Sequence, residues 1–182
     1  MKKLLEWVGA FFLVVVITMI HFIVITFTSS PWNSIHLILA SLFCLLIITA
    51  QKPISALAMA LIFGFCVELF ASTPFGLVSF ALLISVIVVS FLLNTIFTNR
   101  SILIVFFSGV VGTASYYIIL TIGIMTQAFF YKTNFIVTTE FVERAGISIL
   151  TTSLFFIISY SFISRFTRRL NPRYISGATF TL

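Results

Sequence analysis

Six apolar runs separated by short polar connectors take up most of this chain, and that pattern limits its fold more than any single motif does. Runs of this length read as helices that cross a bilayer. Composition points the same way: 61% of the residues are hydrophobic and 8% are charged, too few charges to cover a soluble domain. The chain therefore reads as an all-α polytopic membrane protein, a single transmembrane domain over 1–182 with six spans.

The first run, 7 to about 27, is longer than the apolar part of a secretory signal, and no small-x-small cleavage site follows it. It is expected as a retained span. Ser30-Pro31 breaks it, and Trp32 suits an interface. The second run, about 34–50, is short: either it tilts little, or Asn33 and His36 at its edge lie among headgroups. The others cover about 54–71, 75–97, 101–125 and 145–164. The connector 127–144, with its aromatics, Lys132, Glu140 and Glu143, reads as interfacial, with a short helix expected between the fifth and sixth spans, capped by Thr138 or Thr139.

Topology follows from the basic residues. Lys2, Lys3, Lys52, Arg100, Arg165, Arg168, Arg169 and Arg173 fall on one side and only Lys132 and Arg144 on the other, which puts both termini in the cytoplasm. The formal charge of +6 is spread over connectors and termini rather than clustered on a soluble face, so no nucleic-acid partner is expected. The basic tail, Arg165, Arg168, Arg169 and Arg173, reads as a contact with anionic lipid. Cys44 and Cys66 lie inside apolar runs without a Cys-x-x-Cys or a Cys/His cluster, so no metal, disulfide or cofactor is signalled.

The third run carries the candidate site. Ala56, Ala60, Gly64, Glu68 and Ser72 recur at every fourth position, drawing a line of small side chains with one carboxylate in it. Such a line is a packing face, which places the third helix inside the bundle. Either it binds a partner, or it is internal packing with Glu68 satisfied by one neighbour. His21 and Glu68 each lie fourteen residues into helices that travel outward, so their depths match, and Arg144 opens the sixth span near that level. Glu68 thus has two candidate partners, His21 and Arg144. Gly109 and Gly112 imply close helix contact in the fifth span, where Tyr116 and Tyr117 need hydrogen-bond partners if buried. Serines and threonines that bond back to their own helix are weak signals. With no second intramembrane carboxylate, no His-Glu-x-x-His, no phosphate loop and no Ser/His/Asp set, the chain is not expected to be an enzyme.

Over Gly64-Phe-Cys-Val-Glu68-Leu-Phe-Ala-Ser72-Thr-Pro74-Phe-Gly76-Leu the sequence resembles the rod-shape-determining MreD family of bacterial inner-membrane proteins. Gly64, Glu68, Ser72, Pro74 and Gly76 fall on that family's glycine, acidic residue and turn, with glutamate where aspartate is commoner. The resemblance implies a non-catalytic, multi-pass subunit of the cell-wall elongation machinery in the bacterial cytoplasmic (inner) membrane. Its partner would be a bitopic MreC-like protein, working beside MreB-like filaments, a RodA-like polymerase and the elongation transpeptidase. In helix count the chain is also similar to substrate-binding subunits of energy-coupling-factor vitamin transporters, the alternative reading.

The topology is checked by cysteine labelling at positions 30, 73, 99 and 132 in sealed cells. Positions 30, 73 and 132 are expected to react from outside. Outside labelling at 99 but not at 73 reverses the orientation.

Overall fold

A helix pairs its own backbone groups, which is why apolar segments of this kind settle into helices. A computed structural model describes residues 2–28, 34–48, 53–70, 74–96, 102–132 and 138–170. Six α-helices follow one another: α1 (Lys2–Phe27), α2 (Leu37–Ile48), α3 (Pro53–Glu68), α4 (Leu77–Phe91), α5 (Ile102–Tyr131) and α6 (Thr139–Leu170). A π-helical turn, Leu92–Ile96, continues α4, and no strand occurs among the described residues. Three segments are long and apolar enough to cross a membrane: Leu77–Thr95, Ile102–Tyr131 and Thr139–Phe162. Val15–Phe27, Leu37–Ile47 and Ile54–Glu68 are shorter apolar helices.

The centre of the bundle is α2. Its sequence, LILASLFCLLII, is apolar on every side, and a helix of that kind has no face to give to solvent. Ile38, Leu39, Leu42 and Phe43 are fully buried, and α2 touches all five other helices. Around it α3 packs on α4, α4 on α5, and α5 on α6, which returns to α2; α1 lies against α2 and α3. Helix α3 is two-faced. Ala56, Ala60, Phe63 and Gly64 are covered, while Ile54, Leu61 and Phe65 are exposed on the other side. Small side chains earn one close contact but cannot fill a centre, which falls to the larger residues of α2.

The separate short helix expected in 127–144 is absent among the described residues, because α5 and α6 absorb that segment. Thr126 turns its hydroxyl back to the carbonyls of Ile122 and Gly123, at 3.0 and 2.8 Å, so a polar residue does not stop α5. The helix ends at Tyr131, and Lys132 follows in the left-handed region at φ 52°. Thr138 then opens α6: the Phe141 N–H donates to its Oγ1 at 3.3 Å, and Glu140 occupies the first turn, where the helix dipole favours an anion.

The tightest approach is between α3 and α4. A methyl group at Gly64 would overlap the Ser79 Cα, which is backbone and has nowhere to go. Between α4 and α5, Ser85 Oγ donates to the Gly112 carbonyl at 2.7 Å, a buried bond between helices.

Replacing Gly64 by Ala is expected to destabilise the bundle by about 1–3 kcal/mol or more, since the added carbon meets backbone. Gly146→Ala, where nothing lies within 4 Å, should be neutral or gain up to about 1 kcal/mol from helix propensity. Thermal unfolding of both variants in detergent checks the pair, and equal midpoints would contradict the α3–α4 contact.

Candidate functional site

Glu68 is the last residue of α3 and is 6% exposed. Its Oε1 accepts a hydrogen bond from the Ser79 backbone N–H at 2.8 Å. Ser79 is the third residue of α4, in the turn whose N–H groups have no partners within the helix. The N-cap of α4 is Gly76, which has no side chain to offer them. A carboxylate from the preceding helix takes over the capping role, at the positive end of the α4 dipole. On its own helix the same carboxylate sits at the unfavourable, negative end, so α4 is what stabilises it there.

The turn is shaped to deliver this contact. Gly76 adopts φ 91°, a left-handed conformation that costs a side-chain-bearing residue about 1–2 kcal/mol. The Pro74 carbonyl accepts from the Leu77 N–H at 3.2 Å, and the Gly76 carbonyl from the Phe80 N–H at 2.9 Å. Gly64 allows the close approach of Ser79 one turn lower. Gly64, Glu68, Pro74 and Gly76 are thus parts of one helical hairpin; Ser72 lies outside the described residues. Ala56 and Ala60, both fully buried, continue the covered face of α3. The chain's own helices already cover this line, so in this conformation it offers no surface to a partner.

Neither expected partner meets Glu68 directly. Arg144 is exposed on α6, and the second carboxylate oxygen, Oε2, is buried without a hydrogen-bond partner. His21 is 4% exposed, as its depth in α1 suggests, but its ring neighbour is His36, at a centroid distance of 4.9 Å. His36 is half-buried. Its ring lies edge-on to Tyr116 at 4.8 Å, and its backbone N–H donates to Thr152 Oγ1 of α6 at 2.9 Å. That bond draws the head of α2 inward.

Tyr116 therefore touches His36 and lies within reach of a second tyrosine. Tyr117 packs edge-on to Tyr116 at 5.4 Å and donates its hydroxyl proton to Ser148 Oγ of α6 at 2.8 Å. One polar cluster therefore draws on α1, the head of α2, α5 and α6: His21, His36, the two tyrosines, and Ser148 with Thr152; Glu68 and Ser79 form a second polar contact, between α3 and α4. Four buried atoms of these two groups have no hydrogen-bond partner: His21 Nδ1, His36 Nδ1, Glu68 Oε2 and Ser79 Oγ. Among the described residues no group of three or more His, Cys, Asp or Glu is placed to hold a metal ion. The roles of His36, Ser148 and Thr152 escape a reading by sequence. The available signal for His36 was its place beside the most uniformly apolar run, since the end of a central helix is itself enclosed.

On the outside of the same hairpin, a groove of about 580 Å³ runs between α1 and α3. Val15, Met19 and Phe22 form one wall, and Cys66, Leu69 and Phe70 the other. Phe22 and Phe70 meet edge-on at 5.2 Å. Of the basic tail, Arg165, Arg168 and Arg169 belong to the last turns of α6, and Arg173 lies outside the described residues. No protein-family model, curated protein or solved structure matches the chain.

Glu68→Gln keeps an oxygen for the Ser79 N–H, whereas Glu68→Leu strands that donor at a cost of about 1–3 kcal/mol. The expected order of stability in detergent is wild type, then Gln, then Leu. Combining Glu68→Leu with Arg144→Ala should be additive within about 0.3–0.5 kcal/mol, because the two side chains do not pair. A larger coupling in the double-mutant cycle would restore Arg144 as the partner.

Proposed function

We propose that this chain is a non-catalytic integral-membrane subunit of the bacterial cell-shape and peptidoglycan elongation machinery, binding a bitopic MreC-like partner through a single transmembrane helix of that partner. In this reading it sits in the bacterial cytoplasmic (inner) membrane with six spans and both termini in the cytoplasm. Its basic tail lies against anionic lipid on the side where MreB-like filaments work, and a RodA-like polymerase and the elongation transpeptidase share the membrane beside it.

The observation that carries this reading is the division of labour within the segment that resembles the MreD family. Gly64 and Glu68 point inward and lock the hairpin, while Cys66, Leu69 and Phe70, interleaved with them, face outward and wall the groove against α1. A rigid hairpin with an apolar outer face is a fitting platform for a partner helix, and groove recognition of this kind uses apolar side chains at helical spacing. The alternative, a vitamin-binding subunit of an energy-coupling-factor transporter, needs an open polar site. The His21, His36 and Tyr116 rings are in contact at 4.8–4.9 Å, which favours the partner-binding reading.

Photocrosslinking tests the surface. A crosslinking amino acid at Met19, Leu69 or Phe70 is expected to capture a coexpressed MreC-like protein, and one at Phe107 or Ile158, exposed on α5 and α6, is not. Equal capture at all five positions would remove the groove as the docking site. Copurification of a stoichiometric vitamin and a coupling subunit, with no elongation protein, would replace the whole reading by the transporter one.

A further inference from the structure

The head of α2 lies halfway along the long helices α5 and α6. His36 touches Tyr116, at the midpoint of the 30-residue α5, and its backbone N–H bonds to Thr152, near the middle of the span Thr139–Phe162. Helix α2 itself has 12 residues, about 18 Å of rise, against about 30 Å of hydrocarbon in a bilayer. Its neighbours continue past its head. Helix α1 runs on from His21 to Phe27, and Gly123 of α5, two turns beyond Tyr116, packs against Leu77 at the start of α4. The head of α2 is therefore sunk about 9–10 Å below the ends of α1 and α4.

Backbone outside a helix does not face acyl chains at such a depth; it is covered by protein or lines a space that holds water. Protein covers part of the segment 34–37. Ile35 is buried, the His36 N–H has its hydroxyl acceptor, and the Leu37 N–H donates to the Ile35 carbonyl at 3.1 Å. Ser34, His36 and Leu37 nevertheless keep part of their surface accessible, whereas Ile38, Leu39 and Ala40 are 0–1% exposed. Because α2 touches all five other helices, its uncovered end opens along the bundle among them rather than sideways to lipid. The walls there are polar, with His21, Tyr116 and Thr152 around His36. Water both donates and accepts, so it suits the buried Nδ1 atoms of the two histidines in either neutral tautomer.

We propose that the head of α2 is the floor of a water-binding recess that opens on the side of the membrane where α1 ends, with Ser34 and His36 as the residues that water reaches. Ring contacts at 4.8–4.9 Å among His21, His36 and Tyr116 close the recess below and leave it fit for water rather than for a larger ligand. Water there solvates the backbone that leads into α2, which lets a helix too short to cross the hydrocarbon begin inside the bundle. The recess lies inside the bundle and the groove outside it, so each stands or falls without the other.

Thiol labelling tests it. In the full chain with Cys44 and Cys66 changed to alanine, single cysteines replace Thr28, Ser34, His36 and Ile118, and a charged, membrane-impermeant thiol reagent is applied to either side of sealed vesicles. Ser34→Cys and His36→Cys are expected to react from the same side as Thr28→Cys, at the end of α1, while Ile118→Cys, exposed on α5 at the depth of Tyr116, reacts from neither. No reaction at both 34 and 36, or reaction at 36 from the side opposite to 28, would overturn the proposal. If those variants do not fold, diethyl pyrocarbonate on the unaltered chain decides, since His21 and His36 are its two histidines. Modification of His36 in the folded chain supports the recess, and a His36 that reacts only after unfolding removes it.

Discussion

A single hydrogen bond, from the Ser79 N–H to the Glu68 carboxylate, is the joint on which the rest of this structure turns. It ties the end of one helix to the beginning of the next inside an apolar bundle, where an uncapped helix start has no water to fall back on. Every unusual residue of the surrounding stretch serves it. Gly64 admits the neighbouring backbone, and Gly76 takes the left-handed turn and caps without a side chain. The acidic residue of the 64–76 segment thus has a physical reason to be there before any partner or ligand is invoked.

The second oxygen of the same carboxylate is buried, and elsewhere in the bundle a cluster of polar groups is connected through aromatic contacts. Such a cluster couples helices distant in sequence: α1 reaches α2 through two histidines, and α2 and α5 each reach α6 through a hydroxyl. Within a bundle packed largely by non-directional apolar contacts, these directional bonds, together with those of Ser85 to Gly112 and Ser79 to Glu68, select one mutual arrangement of the helices.

The outward side of the hairpin follows from helical periodicity. Residues 64 and 68 share a face, and 66, 69 and 70 turn away from it, so one short stretch both fixes the fold and shapes the groove. The link between architecture and the proposed partner contact therefore lies in neighbouring residues of one helix.

How much of this was legible beforehand depends on the distance over which each feature is determined. The helical class, the approximate positions of the six helices and the buried line through Ala56, Ala60 and Gly64 are local properties of apolar run length and spacing, and the sequence by itself determined them. It also marked Glu68 as a residue needing a neighbour. That the neighbour is a backbone N–H eleven residues on, rather than Arg144 or His21, required the turn geometry. The central place of α2, the placing of the His36 ring between those of His21 and Tyr116, and the continuous course of α6 from Thr139 were decided only by the tertiary structure. Apolar helices of similar composition compete on nearly equal terms for the core, and what separates them is the fit of side chains across helices, which no single stretch of sequence contains.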